Sequence, residues 1–144
     1  MPKPTFIHLN LDWNAEPNDP DLKVEVNGST IRLSFYLNPF AYDARKGDVG
    51  ILTFNGCNRW RYDATNDHAW FSGQGRFAGK APAWGEFYEV VGDDSSMNHN
   101  DWEIITPDAD RARHFLFYFR DEAIECVAPD WNLQRTTGHT AMTT

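Results

Sequence analysis

Apolar side chains recur at alternate positions in short runs along this chain, and the clearest run is His114-Phe115-Leu116-Phe117-Tyr118-Phe119-Arg120. Successive side chains of a strand point to opposite faces, so Phe115, Phe117 and Phe119 share one face. The run Ala123 to Ala128 answers them. With Asp121-Glu122 as the turn, Phe119 faces Ile124, Phe117 faces Cys126 and Phe115 faces Ala128, all on one apolar face. The other face collects His114, Leu116, Tyr118, Arg120, Ala123, Glu125 and Val127, with Tyr118 across from Glu125. A slip of one residue would carry Glu125 among the phenylalanines, so the register is expected to be strongly specified. Asp-Glu is not favoured two-residue turn chemistry, which leaves a longer loop open.

The same alternation marks further strands. Phe6 to Trp13 reads as a strand with Ile7, Leu9, Leu11 and Trp13 on one face, followed by a polar loop with two prolines, Asn14 to Asp21. Asn27-Gly28 and Asn55-Gly56 are strong hairpin turn pairs. The first places Leu22, Val24, Ile31 and Leu33 on one face; the second pairs Phe54 with Cys57 and Gly50 with Arg61. His68 to Ser72, Trp84 to Val91 and Trp102 to Ile105 read as strands, and Asp93 to Asp101 as the longest loop. Thr106-Pro107-Asp108-Ala109-Asp110 has the cap, proline and acidic residues of one helical turn. The expectation is an all-β single domain over 1–133, an antiparallel sandwich or barrel of about eight short strands built from consecutive hairpins. At most one short helical turn decorates it, and 134–144 reads as a frayed C-terminal tail.

Composition narrows the class. At 144 residues, with 41% hydrophobic and 15% aromatic content, the chain can bury one substantial core. No apolar run approaches the roughly 20 residues of a membrane helix, and the N-terminal residues lack a signal peptide's apolar segment. Cys57 and Cys126, too few for a disulfide framework, read as buried free thiols. A cytoplasmic location without membrane contact is the expectation. The net charge of −8 lacks the basic footprint of direct nucleic-acid binding. It suits solubility or, more sharply, attraction to a basic protein partner.

Motifs with chemistry are scarce. Gly73-Gln74-Gly75-Arg76-Phe77-Ala78 fits G-x-G-x-x-[GA], but Gly79, Pro82 and Gly85 leave no room for the helix that motif must open. The carboxylates of 14–21 lack calcium-loop spacing. The five histidines show no close metal-ligand spacing. A zinc site built from His8, His114 and a carboxylate on distant strands is the remaining metal alternative. No cofactor, no metal and no catalytic residue is therefore assigned. The best candidates for ligand contact are His114, Tyr118, Arg120 and Glu125, an acid/base-capable set that an enclosed mixed face would present among apolar walls. The expected function is a soluble, non-enzymatic binding or interaction protein with an acidic surface, of inhibitor or immunity type. A β-domain binding a small ligand or carbohydrate is the alternative, and an enzyme with its pocket at His114, Tyr118 and Glu125 the third.

Overall fold

Two antiparallel sheets face one another across a layer of aromatic side chains in a computed structural model of the chain. The structure describes residues 5–40, 44–64, 70–72, 81, 83, 85–92, 102–105 and 113–136. Their strands are β1 (Thr5–His8), β2 (Lys23–Asn27), β3 (Thr30–Tyr36), β4 (Val49–Phe54), β5 (Arg59–Asp63), β6 (Phe87–Val91), β7 (Glu103–Ile104), β8 (Arg113–Tyr118), β9 (Ala123–Ala128) and β10 (Asn132–Thr136). One sheet has the order β1-β6-β8-β9-β5-β7 and the other β10-β4-β3-β2. The expected all-β antiparallel architecture is present, as a sandwich rather than a closed barrel.

The core lies where the pattern of β8 and β9 puts it. Phe115, Phe117, Phe119, Ile124, Cys126 and Ala128 all face inward and are buried. They meet Phe35 and Phe54 from the opposite sheet: Phe35 stands edge-on to Phe117 and Phe119, each at 5.4 Å between centroids, and Phe54 lies 5.4 Å from Phe115. Offset and edge-on packing of this kind is favoured by the ring quadrupoles. Fully burying one such side chain contributes about 1.5–3 kcal/mol.

Register differs from expectation in a patterned way. Phe117 pairs with Ile124, Phe115 with Cys126 and Tyr118 with Ala123. The turn is thus a four-residue loop, closed by Phe119 N–H donating to Glu122 O at 2.7 Å. A shift of two leaves every side chain within β8 and β9 on its expected face. Similarly, Asn27 pairs with Thr30, so the turn residues are Gly28 and Ser29. Gly28 has φ 61°, the positive value that a type II′ turn requires at its first central position.

Asn55-Gly56 does not join a hairpin. β4 belongs to the four-stranded sheet and β5 to the six-stranded one, so Asn55 to Asn58 carry the chain across the sandwich. Cys57 N–H donates to Ser29 O at 2.8 Å on one side, and Asn58 N–H to Val127 O at 2.9 Å on the other. Gly50 consequently lies beside Phe35, not Arg61. A methyl group at Gly50 would meet Phe35 Cε2 at 2.9 Å and Leu37 Cδ2 at 3.0 Å.

The ends differ too. β1 stops at His8; Ile7 and Leu11 are exposed, and Asn10 is fully buried instead. Asn10 Oδ1 accepts from Phe87 N–H at 2.9 Å and its amide donates to Trp13 O at 2.8 Å, so one side chain satisfies backbone where β1 has ended. At the other terminus, β10 pairs with β4 as far as Thr136 with Val49. The ordered domain therefore runs past residue 133, because Gln134 to Thr136 complete the ladder beside β4 rather than fraying. Trp70 and Phe71 have helical backbone rather than the expected extended form. His68, the glycine-rich loop 73–79, the loop 93–101, the helical turn 106–110 and the segment 137–144 lie outside the described residues.

Gly50→Ala should lower unfolding free energy by about 1–3 kcal/mol, the range for overpacking a tight core. Phe35 is held between Trp13, Phe117 and Phe119 and has nowhere to retreat. Urea unfolding checks this, and an unchanged midpoint would contradict the packing described.

Candidate functional site

The mixed face of β8 and β9 is enclosed. His114, Leu116, Tyr118, Ala123, Glu125 and Val127 are all buried, although they point away from the sandwich core. A second apolar cluster of Trp70, Ala81, Tyr88, Val90, Leu116, Tyr118 and Ala123 lies on this outer face. Trp102 stands edge-on to the His114 ring at 5.7 Å, and Trp70 edge-on to Tyr118 at 5.8 Å. β8 and β9 are therefore covered on both sides.

Glu125 lies at the centre of this layer, 1% exposed. Its Oε2 accepts from Arg61 NH1 at 2.7 Å, and its Oε1 lies 2.6 Å from His114 Nε2. Arg61 reaches it because β5 pairs with β9 in the register that sets Arg61 directly opposite Glu125. A carboxylate without partners at this depth would cost several kcal/mol. Both its oxygens are engaged.

The four predicted site residues are thus divided. His114 and Glu125 come together. Tyr118 is buried nearby but pairs with Ala123, the two-residue register shift having taken it away from Glu125. Arg120 is not on this face, since the longer turn places it in an exposed loop where its NH1 donates to Asn18 O at 2.6 Å. Tyr118 and Arg120 both line a recess of about 170 Å³ with Asn14, Ala15, Glu16 and Pro17. That is smaller than the roughly 300–1,000 Å³ of small-molecule sites. Arg61 is the member that sequence reading missed. β5 reads Arg59-Trp60-Arg61-Tyr62-Asp63, so charge alone did not single Arg61 out, and naming its partner required the β5–β9 pairing.

The alternative zinc grouping of His8 with His114 is not assembled. His8 Nε2 lies 2.6 Å from Glu86 at the sheet edge, while His114 belongs to Glu125. Among the described residues, no three His, Cys, Asp or Glu side chains stand together as a metal site would need. No described helix is long and apolar enough to cross a membrane.

A larger concavity lies elsewhere. A cleft of about 560 Å³ is lined by Glu16, Asp19, Tyr36, Leu37, Pro39, Phe40, Lys46 and Gly47. Leu37 is buried within its lining, whereas Phe40 is 79% and Tyr36 39% exposed. One wall is the turn 16–19, built by its own carboxylate: Glu16 Oε1 accepts from Asn18 N–H at 2.8 Å and Oε2 from Asp19 N–H at 2.9 Å. Backbone bonds from Glu16 N–H to Tyr36 O (2.8 Å) and Asn38 N–H to Asn14 O (2.9 Å) fasten that wall to the segment bearing the aromatics. The span 12–21 carries Asp12, Glu16, Asp19 and Asp21 with no lysine or arginine. Carboxylates and accessible aromatic rings on a fixed frame suit a cationic group with an apolar stem. With these arrangements in view, comparison with known proteins gives no match to any family model, curated protein or solved structure.

Near the hairpin tip, Tyr62 donates its hydroxyl to Glu122 Oε2 at 2.8 Å, and the carboxylate pushes its pKa up to about 12. Because the folded value is raised, the stabilisation from this contact is complete below about pH 10 and is lost as pH climbs toward 12. Glu122→Gln should return Tyr62 toward the ordinary value near 10, read from its ring resonances in an NMR titration. Glu125→Ala removes the buried carboxylate that Arg61 and His114 share and should cost about 3–5 kcal/mol in unfolding free energy. Arg120→Ala, in its exposed loop, should cost far less. Equal losses in the two variants would refute the distinction.

Proposed function

We propose that this chain is a non-enzymatic binding protein of inhibitor or immunity type, engaging a basic protein partner through its acidic surface. The cleft between the 16–19 turn and Tyr36–Phe40 is the point of contact. The observation carrying this reading is the contrast between the two candidate sites. Glu125, the carboxylate an acid/base mechanism would use, is committed to Arg61 and His114 inside a packed layer. Phe40, Tyr36 and the exposed Asp19 are instead offered to an incoming surface.

The charges and the rings have separate roles. A surface carrying −8 accelerates encounter with a cationic partner and disfavours anionic ones. Affinity comes from an aromatic anchor that loses water on contact, as Tyr and Trp do at interface hot spots. Lys46, on the same cleft, opposes a ligand of uniform positive charge and favours one with spaced cationic and apolar groups. The cleft's volume also suits a small ligand with an apolar body, which would depend on the same ring but little on ionic strength.

A panel of purified basic nucleases and other nucleic-acid enzymes, screened by titration at low and high salt, tests this. The expected result is a complex that weakens as salt rises, loses about 10-fold or more in affinity with Phe40→Ala, and weakens with Asp19→Asn. Glu103→Gln, on the distant edge strand β7, should leave it intact. No complex in the panel, or one indifferent to Phe40 and to salt, would overturn the proposal.

A further inference from the structure

Cys57 and Cys126 are the only cysteines of the chain, and the fold brings them into contact from distant parts of the sequence. Cys57 lies in the crossover between the sheets, and Cys126 in the middle of β9. Both are buried. The segments bearing them are tied together, since Asn58 N–H donates to Val127 O at 2.9 Å. Gly56 packs on Pro129, to which an added Cβ would come within 3.4 Å. Both side chains belong to the same buried cluster, each thiol is a near neighbour that shifts the other's pKa, and Cys57 Sγ donates to Arg59 O at 3.0 Å. Two thiols that neighbour one another in a single buried cluster, on segments joined by a backbone hydrogen bond, are placed for the close approach that a disulfide of roughly 2.05 Å requires.

We infer that Cys57 and Cys126 are a disulfide-forming pair, closed by a hydroperoxide into an intramolecular bond that staples the crossover to β9. The thiol of Cys57, as thiolate, attacks a peroxide oxygen. The O–O bond breaks, water or an alcohol leaves with the thiol's proton, and Cys57 becomes a sulfenic acid. Cys126 then attacks that sulfur, the S–O bond breaks, and a second water leaves as S–S forms. The dithiol is oxidised by two electrons and the peroxide reduced by two. The order of attack follows from placement: Cys57 is in the crossover between β4 and β5, which can open locally, whereas Cys126 is held in the middle of β9. Donation from Cys126 holds the Cys57 thiol below its ordinary range, whereas burial pushes Cys126 well above it. Since neither sulfur is exposed, the reaction awaits local opening of the crossover and is slow beside that of a surface thiol. A reducing compartment keeps the pair as thiols; an oxidising one closes it.

The experiment exposes the folded, reduced chain to excess hydrogen peroxide and maps its peptides by mass. The expected product is a monomer with Cys57 and Cys126 joined, each having lost its thiol hydrogen, and reopened by a reductant. Its melting temperature should rise on the order of 10 °C, since the bond closes a long loop of the unfolded chain. Three results would overturn the inference: disulfides between chains, irreversible oxidation of either sulfur to sulfinic or sulfonic acid, or two free thiols in the folded chain under conditions that cross-link the urea-unfolded one.

Discussion

Strands β8 and β9 are out of water on both faces, and this double burial constrains the rest of the molecule. Phe115 and Phe117 fill the space between the sheets, while His114, Leu116 and Tyr118 lie beneath a second layer on the far side. Neither face can accept an unpaired charge. Glu125 therefore has one tolerable position, opposite Arg61 and beside His114. The aromatic face decides which way β8 and β9 point, and the ion pair joins β9 to β5. Replacing such a pair by apolar residues is often neutral or stabilising, so its presence says more about specificity of register than about stability. Here that specificity is concrete: a one-residue slip would turn Glu125 onto the face where Ile124 and Cys126 pair with Phe117 and Phe115.

Beside that central pair, the edges are less constrained. The six-stranded sheet is wider than its partner, and the residues of β1 that alternate inward, Thr5 and Ile7, remain accessible. The apolar alternation of Phe6 to Trp13 is real, yet Trp13 alone of its expected inward set reaches full burial. The chain leaves the sheet at His8, and Asn10 then occupies a fully buried position by bonding the backbone of Phe87 and Trp13. A buried asparagine of this kind has no periodicity to announce it. Its cue is tertiary.

What could be read from the sequence follows the range of the forces involved. Face assignments were legible, because a face is a property of parity along one strand, and burial enforces it however the partner is placed. Exact pairing was less so. Turn chemistry at Gly28 and at residues 119–122 shifted register by two, a change to which parity is blind. The crossover at Asn55 to Asn58 was illegible for a different reason: Asn-Gly favours reversal locally, and a bend of the same residues can instead carry the chain between sheets when Ser29 and Val127 supply backbone partners. Within the candidate site, His114 and Glu125 were accessible to reading because they share a face on adjacent strands. Arg61 was not, since its strand had been assigned to the wrong neighbour, and Arg120 was lost when the turn lengthened.

Arg120 nevertheless links the two parts of the molecule that matter to the functional reading. Displaced from the mixed face, it spans to the first loop and bonds Asn18 O, within the turn that Glu16 shapes. Phe119, one residue earlier, is in the aromatic core against Phe35, and Tyr36, one residue after Phe35, lines the cleft. The acidic turn and the exposed aromatic ring are consequently held from opposite sides by adjacent residues of the same core contact. A binding surface on loops gains affinity when its groups need not be ordered on encounter. In this fold the order comes from the aromatic hairpin, which contributes no contacting side chain except through the frame it holds.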